Sequence, residues 1–385
     1  MSSEPAPHSA HDPLRVVIAG GGVAALEALA ALRELAPGRV APILVTDARN
    51  FYYRPLLVGE PFGLGTPRRY ALDDICTDLG AELIADRVAE VLPDQHLVRT
   101  GAGLIAYDVL LVCPGARPYP AFQDGLTFDR EMSPEDFDEA LADLADGLAP
   151  HIAIVVPDGV AWTLPAYELA LMTAAWGERR HPDESCVTLL THEPTPLALF
   201  GTAVSDAVRD VLDEARVAVR SGVHPDVVTS SSLRAGGSWV GADRIVSLPL
   251  LGGPRLPGLP QDRQGFIPVD EPSRVLGVED VYAAGDAAVS AIKQGGLAAQ
   301  QADGAVADIA RRADGGTPGV PPPPVLRAVL LTRRGPRFLR AELDDPAATS
   351  TFSAEPLWWP PTKVASRWLG PYLARRDVER PAPSR

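Results

Sequence analysis

Residues 15–25 read Arg-Val-Val-Ile-Ala-Gly-Gly-Gly-Val-Ala-Ala, which predicts an apolar strand, a glycine turn and the start of a helix. Gly20 permits the tight turn out of the strand, and Gly22 has no Cβ, so its backbone can approach a pyrophosphate closely. The helix opens with the residues Val23, Ala24 and Ala25. The last of these is small enough for the helix to pack on the strand, and the N–H groups of the first turn point at the phosphates. The segment predicts a dinucleotide site, with a glycine-rich turn that binds nothing as the alternative.

Two acidic residues follow predicted strands elsewhere in the chain. Asp47 comes 22 residues after Ala25, directly after a strand predicted over 43–46. An acid at this spacing accepts hydrogen bonds from an adenosine ribose. Residues 281–286 read Val-Tyr-Ala-Ala-Gly-Asp, a buried strand that ends in Gly-Asp. Because cofactors of open α/β sheets bind at the carboxyl ends of the strands, we expect Asp286 at a cofactor-binding edge.

The composition argues against several classes of partner and site. The 385 residues suffice for two or three domains and a large core. A formal net charge of −15 argues against binding nucleic acid or anionic lipid. No run of 18 apolar residues predicts a membrane-spanning helix, and the histidines do not combine with cysteines at metal-ligand spacing, so we expect no metal. The three cysteines form no C-x-x-C pair and no secretory signal precedes them, which favours a cytoplasmic protein.

Lysine is nearly absent from the chain. Lys293 and Lys363 stand against 33 arginines. A chain this biased toward arginine keeps a lysine for a specific reason somewhat more often than chance, so both positions are noted as candidates.

A larger set of motifs resembles the flavoproteins that have two dinucleotide-binding domains. The set comprises Gly20-Gly21-Gly22, Asp47, Val112-Cys113-Pro114-Gly115-Ala116-Arg117-Pro118 and Ala284-Gly285-Asp286. Within that group, Tyr53-Arg54-Pro55 and the run from Lys293 to Asp303 look like the branch that holds sulfide:quinone oxidoreductases and the flavoprotein subunit of flavocytochrome c sulfide dehydrogenase. The resemblance covers about residues 14–310 well and the remainder loosely. It is specific for the fold and for FAD, and not for the substrate.

The resemblance implies an α/β fold with two Rossmann-like domains and a small C-terminal cap. The FAD-binding domain would be discontinuous, over 13–125 and 260–315. A second Rossmann-like domain, NAD-type but degenerate, would cover 126–259. A C-terminal cap or interface unit would cover 316–385.

The resemblance also implies roles for individual residues. Asp286 would bind the ribityl hydroxyls of FAD, and the helix from about Gly295 would direct its positive end at the flavin's pyrimidine oxygen. Lys293 precedes that helix and would add to the same effect as a candidate catalytic residue, the alternative being a solvated surface lysine. Arg54 would lie near the flavin or the pyrophosphate, unless it is an ordinary loop arginine. The residues expected to contact FAD are Gly20, Gly22, Val23, Ala24, Ala25, Asp47, Arg54, Pro55, Val88, Cys113, Gly115, Arg117, Gly285, Asp286, Gly295 and Gly296.

Three departures from that branch bear on the chemistry. The usual Ala-Thr-Gly is Cys113-Pro114-Gly115 here, so Cys113 is expected to be a small buried residue. Trp162 takes the position of a redox cysteine and is the second candidate catalytic residue, and no cysteine follows Cys186. A persulfide relay is therefore not available to this chain. No cysteine lies in 48–58 either, so FAD should be bound non-covalently.

The second Rossmann-like domain lacks the loop that a dinucleotide needs. A functional NAD(P)H site would show another G-x-G-x-x-G after the strand predicted over 152–156. Residues 157–165 keep one glycine, and Asp158 brings negative charge to where a pyrophosphate would lie. The sequence argues against NAD(P)H in the usual pose, although related enzymes with degenerate loops accept nicotinamides.

Aromatic residues leave two interpretations open. The candidates are Trp162, Tyr167, Trp358 and Trp359. They line a pocket over the flavin for a planar or apolar substrate, or they form ordinary core between domains. Residues 364–372 have helical spacing that Gly370-Pro371 is expected to break. Docking of this segment on the chain's own domains or on a dimer partner is favoured over contact with a membrane.

Together these features predict an FAD-dependent oxidoreductase that passes a hydride or an electron pair between a donor and an acceptor the sequence does not name. Sulfide is not the expected donor. The alternatives are an NAD(P)H:acceptor reductase, acting on a quinone or a small molecule, and a flavin-binding protein without turnover. We expect a small-molecule substrate or electron acceptor, no nucleic acid and no integral membrane association, and a homodimer is compatible with the sequence.

Overall fold

The computed structural model describes residues 12–64, 68–129, 134–179, 186–316, 322–343 and 350–379. Within these ranges the strands are β1 (Leu14–Ala19), β2 (Val40–Val45), β3 (Asn50–Tyr52), β4 (Arg69–Ala71), β5 (Glu82–Ile84), β6 (Glu90–Leu92), β7 (Leu97–Arg99), β8 (Leu104–Ala106), β9 (Val109–Val112), β10 (Arg117–Tyr119), β11 (Leu126–Thr127), β12 (His151–Val156), β13 (Cys186–Thr191), β14 (Val217–Arg220), β15 (Pro225–Val228), β16 (Ser232–Ala235), β17 (Ser238–Gly241), β18 (Arg244–Ser247), β19 (Leu250–Gly252), β20 (Val281–Ala283), β21 (Val325–Leu330), β22 (Arg337–Glu342) and β23 (Thr351–Ser353). The helices are α1 (Val23–Leu35), α2 (Leu72–Leu79), α3 (Pro134–Ala145), α4 (Leu164–Glu178), α5 (Thr202–Glu214), α6 (Gly295–Ala313) and α7 (Leu369–Glu379). A 3-10 segment covers Arg54–Phe62.

The first sheet has five parallel strands in the order β20-β9-β1-β2-β5. In its register, Val16 of β1 pairs with Val109 of β9 on one side and with Pro42 of β2 on the other. Helices α1 and α6 pack together on one face, and residues such as Leu256 and Ile267 cover the opposite face. Because both faces are covered, the strands read as continuous apolar runs.

The second sheet is also five-stranded and parallel, in the order β11-β18-β12-β13-β14. Residues 152–156 of its central strand are all buried. Helix α4 packs on β12 and β13 and also on the 3-10 segment Arg54–Phe62 of the first unit. A helix covered on several sides is apolar nearly all round, which accounts for the sequence of α4. The two parallel sheets confirm the predicted α/β fold with two Rossmann-like units.

Two segments of the chain that are far apart in sequence form the first sheet. Strands β1, β2, β5 and β9 come from residues 14–112, and β20 is added only after all strands of the second sheet. The antiparallel ribbon of β10 and β19, in which Arg117 pairs with Gly252, connects the two units. This order agrees with the predicted discontinuity, while the limits proposed at residues 125, 259 and 315 stay predictions.

The C-terminal part packs on both units. Strands β21, β22 and β23 form an antiparallel sheet whose buried residues, among them Leu326 and Leu339, join the core around α4. Helix α7 packs on α1. The expectation that Gly370-Pro371 breaks a helix is wrong, because α7 begins at Leu369 and holds both residues in its first turn. Proline is tolerated there because N–H groups of the first turn have no partner within the helix.

Candidate functional site

Predicted cofactor residues follow strands of the first sheet. Gly20 follows β1, Asp47 lies beyond the end of β2, Val88 beyond β5, Gly115 beyond β9 and Asp286 beyond β20. Because all five strands are parallel, these positions meet at one edge of the sheet. Residues that are far apart in the chain are thereby brought to one site.

The turn after β1 has the geometry of an anion-binding helix start. Gly20 has a φ of +123°, its N–H donates to the carbonyl oxygen of Val45 at 2.9 Å, and a Cβ there would overlap the carbonyl oxygen of Cys113. Gly22 is the N-cap of α1 and offers no side-chain cap, the first turn of α1 holds no acid, and a Cβ at Gly22 would meet open space. The fold therefore needs glycine at position 20, whereas position 22 leaves room for an anion beside the amides of α1.

Gly285 lies between the two helices that start at this edge. A Cβ at Gly285 would come within 3.2 Å of the Ala24 side chain and 3.4 Å of the Ala298 side chain. Its N–H donates to Oε1 of Gln301 at 2.8 Å. The two glycine motifs of the sequence thus converge through α1 and α6. Ala25 is buried behind the turn and Val23 is half-buried.

Three charged residues approach each other beside this turn. Asp286 is half-buried, and burial raises the pKa of its carboxyl while Lys293 and Arg54 act in the opposite direction. Its carboxylate accepts no hydrogen bond from the described residues, and the same holds for the exposed Asp47. Both carboxylates can therefore accept hydrogen bonds from ribose or ribityl hydroxyls.

Lys293 is almost fully buried. Its ammonium group donates to the carbonyl oxygen of Ala288 and lies 3.9 Å from the ring centre of Phe266. Burial lowers the pKa of Lys293 to about 8, although Asp286 and Asp262 favour the charged form. The alternative of a solvated surface lysine is wrong, because the side chain is 7% exposed. Lys293 therefore has a charge that titrates close to physiological pH.

The first turn of α6 is covered by the C-terminal part of the chain. Gln294 caps the helix by accepting the N–H of Leu297 at 2.9 Å. A Cβ at Gly295 would come within 2.9 Å of Val364, and one at Gly296 within 3.3 Å of the Ala365 carbonyl oxygen. Both glycines are thus required by close packing. Their N–H groups stand at the start of the helix, where no intrahelical acceptor exists.

The corresponding edge of the second sheet is occupied by protein groups. The Glu193 carboxylate is buried, accepts the hydroxyl of Tyr167 at 2.7 Å, and is hydrogen-bonded by Thr163, the N-cap of α4. Burial raises the pKa of Glu193. Asp158 lies 2.8 Å from Nδ1 of His224. A carboxylate of the chain itself therefore lies by the helix N-terminus to which a second dinucleotide would bring its phosphates.

The three thiols are not arranged for redox chemistry. Burial raises the pKa of Cys76 to about 11 and that of Cys113 to about 12, so both stay protonated at neutral pH. Cys113 directly follows β9 and is buried, as predicted from the sequence. Cys186 is the first residue of β13, at the opposite end of that strand from the ligand-binding edge. None of the three thiols takes part in a disulfide.

The predicted aromatic pocket is not assembled. Tyr167 is buried core, and Trp162 packs half-buried on Phe200 with ring centres 6.2 Å apart. Trp358 packs on Phe338, whereas Trp359 is 84% exposed. These residues fit the alternative of core between units, except Trp359. Arg117 extends away along the ribbon, is exposed, and contributes backbone pairing to Gly252.

Sequence reasoning missed two buried acids that tie the C-terminal part to the rest. Glu168 of α4 pairs with Lys363, and Glu27 of α1 accepts the N–H groups of residues 367–369. A single acid within an otherwise apolar helix, as in residues 23–32, was the available signal. Within the described ranges no helix is long and apolar enough to cross a membrane, and no cluster of three potential metal ligands occurs.

Comparisons with known proteins agree with this fold. The structure has a TM-score of 0.79 against the sulfide:quinone oxidoreductase of Aquifex aeolicus, at 19% identity over 88% of this chain and 86% of that one. It has a TM-score of 0.62 against an NAD-dependent persulfide reductase of A. fulgidus, at 19% identity over 85% of this chain and 64% of that one. An NADH dehydrogenase-like protein of Mycobacterium tuberculosis is 26% identical over 294 residues, which are 72% of this chain and 73% of the relative.

The family comparison covers most of the chain. Residues 14–302 match the model of the pyridine nucleotide-disulphide oxidoreductases. This range spans both parallel sheets and the edge that holds Gly22, Asp47 and Asp286. The residues present fit FAD, because the open position beside Gly22 and the two available carboxylates match its phosphate and hydroxyl groups. The chain belongs to the pyridine nucleotide-disulphide oxidoreductase family and is an FAD-dependent oxidoreductase.

Proposed function

We propose that this enzyme passes a hydride or an electron pair directly between small molecules and FAD, without a cysteine relay and without sulfide as donor. One observation carries the proposal: the thiols nearest the first sheet, Cys76 and Cys113, are buried with raised pKa values, and Cys186 lies at the far end of β13. In a cysteine relay, hydrosulfide attacks a disulfide sulfur and expels the other cysteine as a thiolate, and the three cysteines of this chain are all free thiols.

Residues of the first sheet would hold FAD non-covalently. The amides at the start of α1 would bind its pyrophosphate beside Gly22, and the Asp47 and Asp286 carboxylates would accept its ribose and ribityl hydroxyls. Bound FAD supplies the capacity to take up two electrons and to return them singly or in pairs. The chain has no cysteine at residues 48–58, where the resemblance would place an attachment site.

Lys293 would act as the cation of the site. Its Nζ lies between the Ala288 carbonyl and the face of Phe266, so its position is fixed by contacts on two sides. A positive charge held beside Asp286 and the start of α6 favours negative charge that develops nearby on reduction. Because its pKa is about 8, Lys293 can also hold or release a proton at Nζ.

The second sheet would not anchor a nicotinamide dinucleotide in the usual pose. Glu193 already accepts the Thr163 and Tyr167 hydroxyls by the start of α4, and the exposed Asp158 adds a second negative charge to the same loop. These two carboxylates would repel a pyrophosphate. Loss of the usual phosphate contacts would weaken dinucleotide binding by several factors of ten, and each factor of ten corresponds to about 1.4 kcal/mol.

A second candidate function is an NAD(P)H:acceptor reductase that uses the same FAD. The observation that favours it is the NADH dehydrogenase-like relative, which aligns over 72% of this chain. In that case the nicotinamide would reach the flavin without the phosphate contacts that a glycine-rich loop supplies.

Anaerobic stopped-flow reduction of the holoenzyme by NADH, NADPH, sulfide and a quinol distinguishes these functions. We expect no saturation by NADH or NADPH at micromolar concentration, and no rapid sulfide-dependent bleaching of the flavin. A triple variant, Cys76→Ala, Cys113→Ala and Cys186→Ser, serves as control and should keep its flavin chemistry. Saturation at low micromolar NADH would favour the second candidate, and sulfide bleaching that the triple variant loses would overturn the first. Heat or acid should release FAD into the supernatant.

A further inference from the structure

A cleft lies outside the flavin edge, between α6 and the C-terminal part of the chain. Its volume is about 550 Å³, and it runs along α6 from Ala299 to Arg311. At about 1.5 Å per residue, this stretch begins roughly 6 Å and ends roughly 24 Å beyond Gly295 at the start of the helix. The residues that line the cleft include none of those assigned to FAD.

Arginine side chains are among the residues that line the cleft. Arg327 is half-buried, and its guanidinium makes no hydrogen bond or ion pair with any described residue. Burial and the neighbouring Arg340 lower the pKa of Arg327, which means that the charged guanidinium is destabilised in the unliganded protein. Arg367 also lines the cleft, with its guanidinium 4.7 Å from the ring centre of Trp368. In a chain with a net charge of −15, two such cations in one cleft favour an anion.

The acid that lines the cleft does not cancel this charge. The carboxyl of Asp303 lies against that of Glu27, whose pKa is raised by burial although the N–H groups of residues 367–369 oppose that shift. Burial and the Glu27 charge raise the pKa of Asp303 to about 8, while Arg367 opposes that shift, so the two carboxyls together keep a proton at neutral pH. The two carboxyls then carry a single negative charge between them, and neither makes an ion pair with Arg327.

An aromatic surface completes the cleft. Trp359 lines it and is 84% exposed, the most exposed of the large apolar side chains in the described residues. Its neighbour Trp358 is fixed by packing on Phe338 and by donation of its indole N–H to the Thr362 carbonyl at 3.0 Å. An exposed indole beside arginines is suited to stacking on a flat ring whose charge the arginines neutralise.

We propose that this cleft binds a planar aromatic anion, of the class of a nucleoside monophosphate, through stacking on Trp359 and ion pairing with Arg327 and Arg367. The volume of about 550 Å³ suits a ligand of that size. The site is independent of the electron donor and acceptor at the flavin.

Calorimetry on the FAD-loaded full chain tests the proposal with AMP as the probe. We expect a dissociation constant below 1 mM for AMP and at least tenfold weaker binding of adenosine and of inorganic phosphate alone. Trp359→Ala and Arg327→Gln should each weaken AMP binding at least tenfold. The matched controls are Trp239→Ala, an exposed tryptophan of β17, and Arg333→Gln, an exposed arginine of the C-terminal part, and both should bind AMP within twofold of the wild type.

Two outcomes would overturn the proposal. One is the absence of AMP binding up to several millimolar, and the other is AMP binding that Trp359→Ala and Arg327→Gln leave unchanged. Binding of poly-glutamate that depends on these residues, without binding of AMP, would assign the cleft to an acidic protein instead. Retention of FAD absorbance in every variant shows that the fold is intact.

Discussion

The ammonium group of Lys363 lies 2.6 Å from Oε2 of Glu168, although 195 residues separate the two in the chain. Glu168 is fully buried, Lys363 nearly so, and the N–H of Leu331 donates to Oε1 of the same carboxylate at 2.8 Å. Burial raises the pKa of Glu168, while Lys363 and Leu331 oppose that shift. One of the two lysines in the chain therefore neutralises a buried acid and joins α4 to the C-terminal part.

Replacing Lys363 by methionine should strongly destabilise the protein. The substitution leaves the Glu168 carboxylate buried without its cation, which typically costs about 3–5 kcal/mol. Urea unfolding at pH 7 measures the loss as a change in the free energy of unfolding. The double variant with Glu168→Leu should recover most of it, because no charge then remains buried.

An exposed ion pair between the same two parts provides the control. Arg333 and Glu178 lie 3.1 Å apart and are both largely exposed. Arg333→Met should cost less than about 1 kcal/mol, as exposed pairs do. Equal losses for Lys363→Met and Arg333→Met would contradict the role assigned to the buried pair.

Alanine at Gly22 should weaken FAD binding while the chain itself stays stable. A Cβ at Gly22 meets open space and its φ is −93°, so the FAD-free protein should unfold within about 1 kcal/mol of the wild type. If the pyrophosphate lies against this backbone, FAD affinity should fall at least tenfold in equilibrium dialysis. Unchanged FAD affinity would show that the phosphates lie elsewhere.

Glycine at position 20 is required by the fold, whereas glycine at position 22 is expected to be required by the ligand. The Gly20 φ of +123° is unfavourable for alanine, and the added Cβ would overlap the carbonyl oxygen of Cys113. Gly20→Ala should therefore destabilise the FAD-free chain, whereas Gly22→Ala should not.

Lys293→Met should lower the midpoint potential of the flavin at pH 7. The positive charge at Nζ favours the reduced state, and a tenfold change in the equilibrium corresponds to about 30 mV for two electrons. We expect a decrease of at least that size. Because the pKa of Lys293 is about 8, the difference between variant and wild type should shrink by pH 9.5, where the native amine is neutral. A difference that is the same at both pH values would rule out this charge as the cause.

Asp303→Asn should remove a pH dependence of stability. The folded protein keeps a proton on Asp303 up to about pH 8, whereas the unfolded chain releases it near 3.8. Between these values the folded state binds more protons, so the free energy of unfolding should fall as the pH rises from 3.8 to 8. The neutral amide lacks this titration. Urea unfolding at pH 5, 6.5 and 8 provides the measurement.

An exposed aspartate at the end of the same helix is the matched control for this experiment. Asp314 lies beyond the last turn of α6 and pairs with Arg39 at the surface. Asp314→Asn should leave the wild-type slope in place. A wild-type slope that survives in Asp303→Asn would assign the proton to another group.

The sequence by itself determined the fold, and it predicts the edge of the first sheet at which the cofactor would bind. Apolar runs such as 109–112 predict strands buried on both faces, and parallel strands place all their carboxyl ends together. Glycine types and acid spacing then identify Gly20, Gly22, Asp47 and Asp286, because backbone conformation and close approach are local requirements that a sequence records directly.

Only the tertiary structure decided how the charges are paired. Glu168 of α4 meets Lys363 of the segment before α7, and Glu27 of α1 meets Asp303 of α6. The members of each pair are remote in sequence, and no local pattern encodes such a pairing. The burial of Lys293 and the exposure of Trp359 depend in the same way on which surfaces the fold covers. So do the hydrogen bonds that the buried Glu193 carboxylate accepts. Burial sets the cost of a charge, and burial is a property of the assembled chain rather than of any segment.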